Sequence, residues 1–161
     1  MAEEDIIAIL KEKSRDNSRT PVQWNNKENA GFSNATPWIE IPDNYRSINA
    51  EQAIENPNSI FHHYQKLIAL RKQYQVITDG DYQLLLSDHL AIFAYLRENK
   101  SQRMLVVNNF YAEEVTLELP EDVEKLLVNG KIIISNYLQA PASIQNVTLR
   151  PYESFVYFIQ K

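Results

Sequence analysis

The chain has 161 residues, 44% of them apolar, a formal net charge of −5 and no cysteine. That length can bury a real core, as one domain or as one small domain plus a piece of another. The acidic balance gives no electrostatic footprint for nucleic acid, and the missing cysteines exclude disulfides and thiolate metal sites. The opening MAEEDIIAILKEK is acidic and lacks the basic-then-apolar order of a signal peptide. No apolar run approaches the ~20 residues that span a bilayer. The expectation is a soluble, cytoplasmic, globular chain.

Residues 3–13 set Ile6, Ile7, Ile9 and Leu10 against Glu3, Glu4, Lys11 and Lys13. This predicts a short amphipathic helix with acids in its first turn and lysines in its last, matching the helix dipole. From Ser14 to about Ile48 the periodicity vanishes; Asn, Ser, Thr and Pro dominate, yet Trp24, Phe32, Trp38 and Tyr45 recur. Rings at that density want burial, so residues 14–48 read as an ordered loop folded over something. NAEQAIENPNS then predicts a short helix ending near Pro57, because Asn56 is biased from helical angles by the proline after it. Asn58 or Ser59 can cap a second helix over 59–74, in which Phe61, Tyr64 and Ile68 share one buried face.

After Gly80 the period falls to two. DYQLLL, AIFAYL, RMLVVNNF, EVTLEL, EKLLV, KIIIS, NVTL and SFVYFIQ are strand candidates separated by turn signals, with Asn129-Gly130 the clearest two-residue hairpin turn. Short strands at such spacing predict an antiparallel β-sandwich over residues 79–161. Residues 1–78, helix and loop only, cannot obviously close a core of their own; they look cut from something larger, whereas the β unit could fold alone.

The run SRDNSRTPVQW at 14–24, with ENAGF at 28–32, TPWI at 36–39, NYRSINAEQAI at 44–54 and SIFHHYQKLIALRK at 59–72, resembles the C-terminal portion of glycoside hydrolase family 13 α-glucosidases. It is similar to the branch of oligo-1,6-glucosidases, dextran glucosidases and trehalose-6-phosphate hydrolases. Ser18, Val22 and YQLLLSDHLAIFAYLR at 82–97 resemble the last of these groups. The resemblance implies an α+β fragment: the last helices and a loop of a TIM (β/α)8 barrel, then an antiparallel β-sandwich. Residues 1–78 would close the catalytic barrel, with the substrate-site loop at 14–48 and the final helix at 59–74; residues 79–161 would be the C-terminal domain.

The resemblance further implies a retaining hydrolase whose two catalytic carboxyls lie upstream, so this chain would hold no catalytic residue and be inactive alone. It places Arg19 on the 4-hydroxyl of the non-reducing glucose, beside an upstream aspartate; guanidinium offers a rigid donor fork for a carboxylate and a hydroxyl together. Read from spacing alone, Arg19 is an ordinary loop arginine. Arg15, Asp16 and Asn17 are weaker candidates for substrate contact and read more simply as scaffold, since Asp and Asn bond nearby backbone amides.

Trp24, Phe32 and Trp38 read as packing residues before sugar-stacking ones. His62 and His63 are adjacent and cannot form a facing metal pair, and His89 sits in a turn without an evident partner. No metal site and no cofactor is expected. The expected partners are a small α-glucoside, phosphorylated in one reading, and the upstream barrel of the same polypeptide; no nucleic acid or membrane is implied. The leading functional reading is part of a trehalose 6-phosphate hydrolase releasing glucose and glucose 6-phosphate. The alternatives are part of an oligo-1,6-glucosidase or dextran glucosidase, or a non-catalytic carbohydrate-binding or stabilising β-module. Against the module, the strands show no obvious exposed aromatic platform.

Overall fold

The structure, a computed structural model, describes residues 3–13 and 15–161, without the side chains of Lys11, Glu12 and Asn17. The chain divides into two compact units, Met1–Gln65 and Lys66–Lys161.

In the first unit, α1 (Glu3–Lys13) has Glu3, Glu4 and Asp5 in its first turn, as its dipole favours. Irregular chain follows, broken by single 3-10 turns at Arg15–Ser18, Glu28–Gly31 and Asp43–Arg46. The second helix, α2 (Ala50–Glu55), is capped by Asn49, whose side chain accepts from the Gln52 N–H at 3.0 Å. Asn56 ends it in extended geometry, as expected of a residue before proline. Ser59 then opens α3 (Ile60–Gln73), its Oγ accepting from the His62 N–H at 3.4 Å. His62 ties α2 to α3 through Nε2, which lies 2.8 Å from the Ile54 carbonyl oxygen.

The face of α3 forms as the spacing requires, but it is not buried. Phe61, Tyr64 and Ile68 are all exposed, as are Ile6, Ile7, Ile9 and Leu10 of α1. No described residue packs over these stripes to remove them from water. Trp38 is 89% exposed, and Trp24 and Phe32 are about half exposed. The rings read as packing residues therefore meet no core within the described residues.

The core lies in the second unit. A short α4 (Val76–Asp79) leads into β1 (Asp81–Leu85), β2 (Ile92–Glu98), β3 (Gln102–Asn109), β4 (Val115–Leu117), α5 (Glu121–Lys125), β5 (Lys131–Ser135), β6 (Val147–Leu149) and β7 (Ser154–Gln160). Five strands form an antiparallel sheet in the order β1-β2-β3-β7-β5, and β4 pairs with β6 in a second, two-stranded sheet. Alternation aims Leu85, Ile92, Ala94, Leu96, Leu105, Val107 and Phe155 inward from the large sheet. Leu117 and Leu149 of the small sheet, with Val123 and Leu127 from around α5, complete that cluster. On the opposite face of the large sheet, Val76 packs with Met104 and Phe158, and Tyr74 stacks on Phe158 at 4.4 Å.

Two expectations fail together. EKLLV is not a strand: Pro120 caps α5, Glu121 and Asp122 sit in its first turn, and Val123 and Leu127, four apart, turn inward. A five-residue apolar run carries too little periodicity to separate helix from strand. Asn129-Gly130 consequently joins a helix to β5 rather than closing a hairpin, with Asn129 in the left-handed region at φ 63°. His89 also has partners, its Nδ1 accepting from the Ala91 and Ile92 N–H groups at 3.1 and 2.9 Å.

Buried polar groups in the second unit are paired. Asn109 donates to the carbonyls of Glu113 and Arg150 at 2.8 and 2.9 Å and accepts from the Tyr111 N–H at 3.0 Å. Glu153, with its side chain 1% exposed, is held by the Arg150 side chain and by the Arg150 backbone N–H at 2.8 Å. Burial pushes the Glu153 carboxyl up, but those hydrogen bonds and the Arg150 charge outweigh burial and hold it below the ordinary value. The Arg150 guanidinium also lies 3.9 Å over the Tyr137 ring and donates to the Gln139 carbonyl at 2.7 Å. Glu98 is held down to about 2, chiefly by the hydrogen bond from Arg103 at 2.6 Å and further by Lys161, against some loss of solvent.

Both carboxyls ionise more readily folded than unfolded, so their contribution is complete above about 4.5 and is lost as pH falls below it, for Glu98 as pH approaches about 2. Thermal melts of the chain from pH 6 to pH 2 should show stability falling through that window. Glu153→Gln should cost about 2–3 kcal/mol at neutral pH, since it weakens a buried charge-assisted network. Glu98→Gln, at a carboxylate 38% exposed to screening solvent, should cost about 1 kcal/mol or less.

Candidate substrate-binding site

The candidate residues from sequence converge on one turn. Arg15–Ser18 form a 3-10 turn closed by the Arg19 N–H on the Asp16 carbonyl at 3.0 Å, and Ser18 Oγ donates to the Arg15 carbonyl at 3.0 Å. Arg15 and Asp16 are exposed; the Asn17 side chain lies outside the described residues. Arg19 leaves this turn exposed, and its guanidinium makes no hydrogen bond or ion pair with any described residue. A donor fork with fixed charge is therefore presented to solvent, two residues before the buried Pro21.

The chain that follows the turn is anchored. The carbonyls of Gln23 and Trp24 accept from the Ala50 and Glu51 N–H groups at 2.9 and 3.0 Å, so residues 23–24 satisfy amides at the free start of α2. Gln23 Nε2 also donates to the Asn44 side chain at 3.2 Å and the Ile48 carbonyl at 2.5 Å, drawing the far end of the loop back to its beginning. Sequence reasoning passed over Gln23, because its partners lie 21 and 25 residues away and leave no local pattern.

Between these anchors the backbone is strained. Asn29, Ala30 and Gly31 are consecutive left-handed residues at φ 50°, 53° and 66°. Ala30 is buried, and its carbonyl accepts from both the Trp24 and Asn25 N–H groups at 2.9 and 3.1 Å. Such geometry costs an alanine of order 1–3 kcal/mol, and it persists only where the surroundings impose it. At Gly31 a Cβ would lie 2.5–2.8 Å from the Asn25 side-chain amide, so any other residue would have to displace that amide and also bear the strain of a φ of 66°. Strain of this kind collects at ligand clamps and active-site loops.

No group of three His, Cys, Asp or Glu side chains is placed to hold a metal among the described residues. His62 bonds Gln65 and Ile54 and is occupied in packing two helices. Among the described residues no helix is long and apolar enough to cross a membrane.

Known proteins match the chain over nearly its whole length, in two segments whose boundary lies beyond that of the two compact units. Residues 1–80 match the model of the α-amylase catalytic domain, and residues 92–156 match that of the C-terminal domain of the α-amylase SusG. A trehalose-6-phosphate hydrolase of Bacillus subtilis (strain 168) is 50% identical over 161 residues, covering 100% of this chain and 28% of its own length. An oligo-1,6-glucosidase of Bacillus cereus is 45% identical over 157 residues, covering 96% of this chain and 28% of its own length. A solved structure, the trehalose-6-phosphate hydrolase of Bacillus licheniformis, superposes with a TM-score of 0.92 at 52% identity over 99% of this chain and 29% of that one. The chain thus spans between a quarter and a third of the length of these relatives.

If the anchors and the strained turn hold the loop in place, Gly31→Ala should release it. Backbone hydrogen exchange should then accelerate at the Trp24, Asn25 and Phe32 amides while β3 and β7 stay protected. Unchanged exchange at those three amides would mean the loop is held by something else.

Proposed function

Because the chain belongs to the α-amylase family of glycoside hydrolases, we propose that it supplies the closing part of a retaining α-glucosidase: the last loop and helix of a (β/α)8 barrel, followed by a β-sandwich domain. Residues 1–78 belong to the barrel and 79–161 to the C-terminal domain. The 14–48 loop lies on the catalytic face, where barrels build their sites from loops after the strands. Arg19 faces the glucose 4-hydroxyl together with an aspartate from the upstream barrel, and Arg15, Asp16 and Asn17 shape the turn that carries it. The nucleophile and acid/base carboxyls, about 5–5.5 Å apart in a retaining enzyme, come from upstream strands.

The observation that carries this reading is the pairing of a strained, anchored loop with a guanidinium that has no partner among the described residues. Hydrolysis of trehalose 6-phosphate to glucose and glucose 6-phosphate is the reaction we assign. It is supported by the 50% and 52% identities to the two Bacillus trehalose-6-phosphate hydrolases, against 45% to the Bacillus cereus oligo-1,6-glucosidase, while a trehalose-6-phosphate hydrolase of Escherichia coli is 43% identical. Its setting is the cytoplasm, where a phosphorylated sugar is retained.

A second surface fits the same reading. Tyr82, Tyr95, Phe93 and Phe110 form a continuous row with ring centroids 5.2, 5.5 and 6.2 Å apart, in which Tyr82, Phe93 and Phe110 are exposed and Tyr95 is half-buried. This corrects the expectation that the strands carry no exposed aromatic platform. The row lies on the same sheet face as Met104 and Phe158, the part already covered by Tyr74 and Val76. We assign the uncovered remainder to packing against the rest of the barrel, as the family-matched segment that ends at residue 80 does next to it.

The test joins this chain to the upstream barrel of a trehalose-6-phosphate hydrolase and compares substrates. The assembled enzyme should cleave trehalose 6-phosphate in preference to isomaltose, while the 161-residue chain alone should leave p-nitrophenyl α-glucoside intact. Arg19→Ala should lower kcat/KM by the equivalent of about 2–5 kcal/mol. An unchanged kcat/KM would retire the pocket role. Phe93→Ser should lower the melting temperature of the assembled enzyme by several degrees more than that of the chain alone, because in the former the ring loses its cover from the barrel as well as its contacts with Tyr95 and Phe110.

A further inference from the structure

The second unit holds a cleft that the catalytic reading does not use. It has a volume of about 360 Å³ and lies between the end of α5, the start of β5 and the 141–145 loop, with Tyr157 of β7 in its lining. Its polar groups are the Glu124 carboxylate, the Lys131 ammonium, the Gln145 amide, the Ser143 hydroxyl and the Tyr157 phenol. The side chains of Glu124, Lys131, Gln145 and Tyr157 make no hydrogen bond or ion pair among the described residues. Glu124 and Lys131 line one cleft yet do not pair, although an ion pair forms one turn away between Glu121 and Lys125 at 2.7 Å.

The walls are fixed before any ligand arrives. The Tyr157 ring is held against the backbone of Gly130, where a Cβ would fall 2.3–2.6 Å from ring atoms, so glycine is required for the ring to lie there. The 141–145 loop is pinned at one end by Arg150, which stacks on Tyr137 and bonds the Gln139 carbonyl, and at the other by the buried Ile144. Preset walls spare a ligand the cost of ordering them.

We propose that this cleft binds a neutral saccharide, one or two pyranose units in size. A pyranose has a flat C–H face and a rim of hydroxyls that each donate and accept. An aromatic ring suits the face; a carboxylate acceptor, an ammonium donor and an amide that does both suit the rim. The charges of Glu124 and Lys131 cancel, which disfavours an anionic sugar phosphate. A volume of about 360 Å³ sits within the range of small-molecule sites. Tyr157 shares its sheet face with Leu105 and Ile132 in register, opposite the face covered by Val76, so the cleft stays open to solvent whatever packs on that other side. The site is independent of Arg19, which belongs to the other compact unit.

The full 161-residue chain, labelled with nitrogen-15, is titrated with maltose, trehalose and glucose 6-phosphate. Maltose or trehalose should shift the Gly130, Ser143 and Gln145 amides saturably, with Kd on the order of 1 mM. Glu124→Ala and Gln145→Ala should each weaken binding about tenfold or more, with native spectra elsewhere, and Glu118→Ala, outside the cleft, should leave it unchanged. Tyr157→Phe, which keeps the ring, should retain binding within a few-fold. Absence of saturable shifts with both neutral sugars would overturn the proposal. So would shifts that survive both cleft variants, or tighter binding of glucose 6-phosphate. None of these outcomes depends on hydrolysis, so failure here is separable from failure of the Arg19 role.

Discussion

The structure turns on Arg97. Its Nε donates to the Val76 carbonyl at 3.1 Å and its guanidinium to the Gly80 carbonyl at 2.7 Å. Those carbonyls belong to the last residues of the segment that matches the catalytic domain, and Arg97 belongs to β2 of the sheet that follows. Gly80 is what allows the approach: a Cβ there would lie 2.5 Å from the Val76 carbonyl oxygen and 3.1 Å from the Glu98 nitrogen. Around the same junction Asn99 donates to Asp79 at 3.0 Å, and the Gln102 side chain accepts from the Val76 N–H at 3.2 Å. A charge-assisted clamp of this kind fixes direction as well as distance, so the chain leaves the helical segment and enters the sheet along one path.

Stability is distributed unevenly on either side of that clamp. Both apolar clusters lie between Tyr74 and Ile159, whereas in the first unit the buried residues amount to Pro21, Ala30 and Asn49 among those described. The first unit is organised by hydrogen bonds and caps: Asn49 on α2, Ser59 on α3, His62 between them, and Gln23 across the loop. Hydrogen bonds fix geometry but contribute little net free energy beside buried area. The α1 and α3 stripes, Trp24, Phe32 and Trp38 are apolar surface arranged with helical or loop precision and left in water. Exposed patches of that extent mark surfaces that meet something else.

What was legible in the sequence follows from how local each cause is. Strands β1, β2, β3, β5 and β7 announce themselves because alternation is a property of neighbouring residues. The caps of α2 and the break at Pro57 are equally local. The α5 region was misread because KLLV looks the same in either period, and the deciding signal was Pro120 followed by two acids rather than the apolar run itself. Asn129-Gly130 does turn the chain, with Asn129 left-handed, but it closes no hairpin, since turn chemistry is local and the element before it is a helix. The aromatic row went unseen because its members come from β1, β2 and the end of β3, and only the register places Tyr82 beside Arg97 and Leu84 beside Tyr95. Gln23 and Arg97 act on residues some 20 positions away, which no pattern of neighbours reveals. Arg19 was legible through a motif, not through spacing.

The strained turn at Asn29–Gly31 shows how a loop can be precise with few buried side chains beneath it. Three successive left-handed residues cannot be an average over a flexible chain, since alanine and asparagine leave that region whenever they are free to. Here the Ala30 carbonyl accepts two amides from the opposite strand of the loop, and Asn29 bonds the Ser33 carbonyl at 3.1 Å. The carbonyls of Gln23 and Trp24, on the same stretch of backbone, go to α2. Residues 23–25 therefore have donors committed to the turn and acceptors committed to the helix, and slack in either is transmitted to the other. Arg19 inherits its position through Pro21, whose fixed φ allows little rotation between the anchored stretch and the 3-10 turn. A guanidinium must meet both a carboxylate and a hydroxyl within a few tenths of an ångström to act as a fork. A loop constrained from both ends by backbone hydrogen bonds can deliver that placement, where a loop held only by apolar contact would slide.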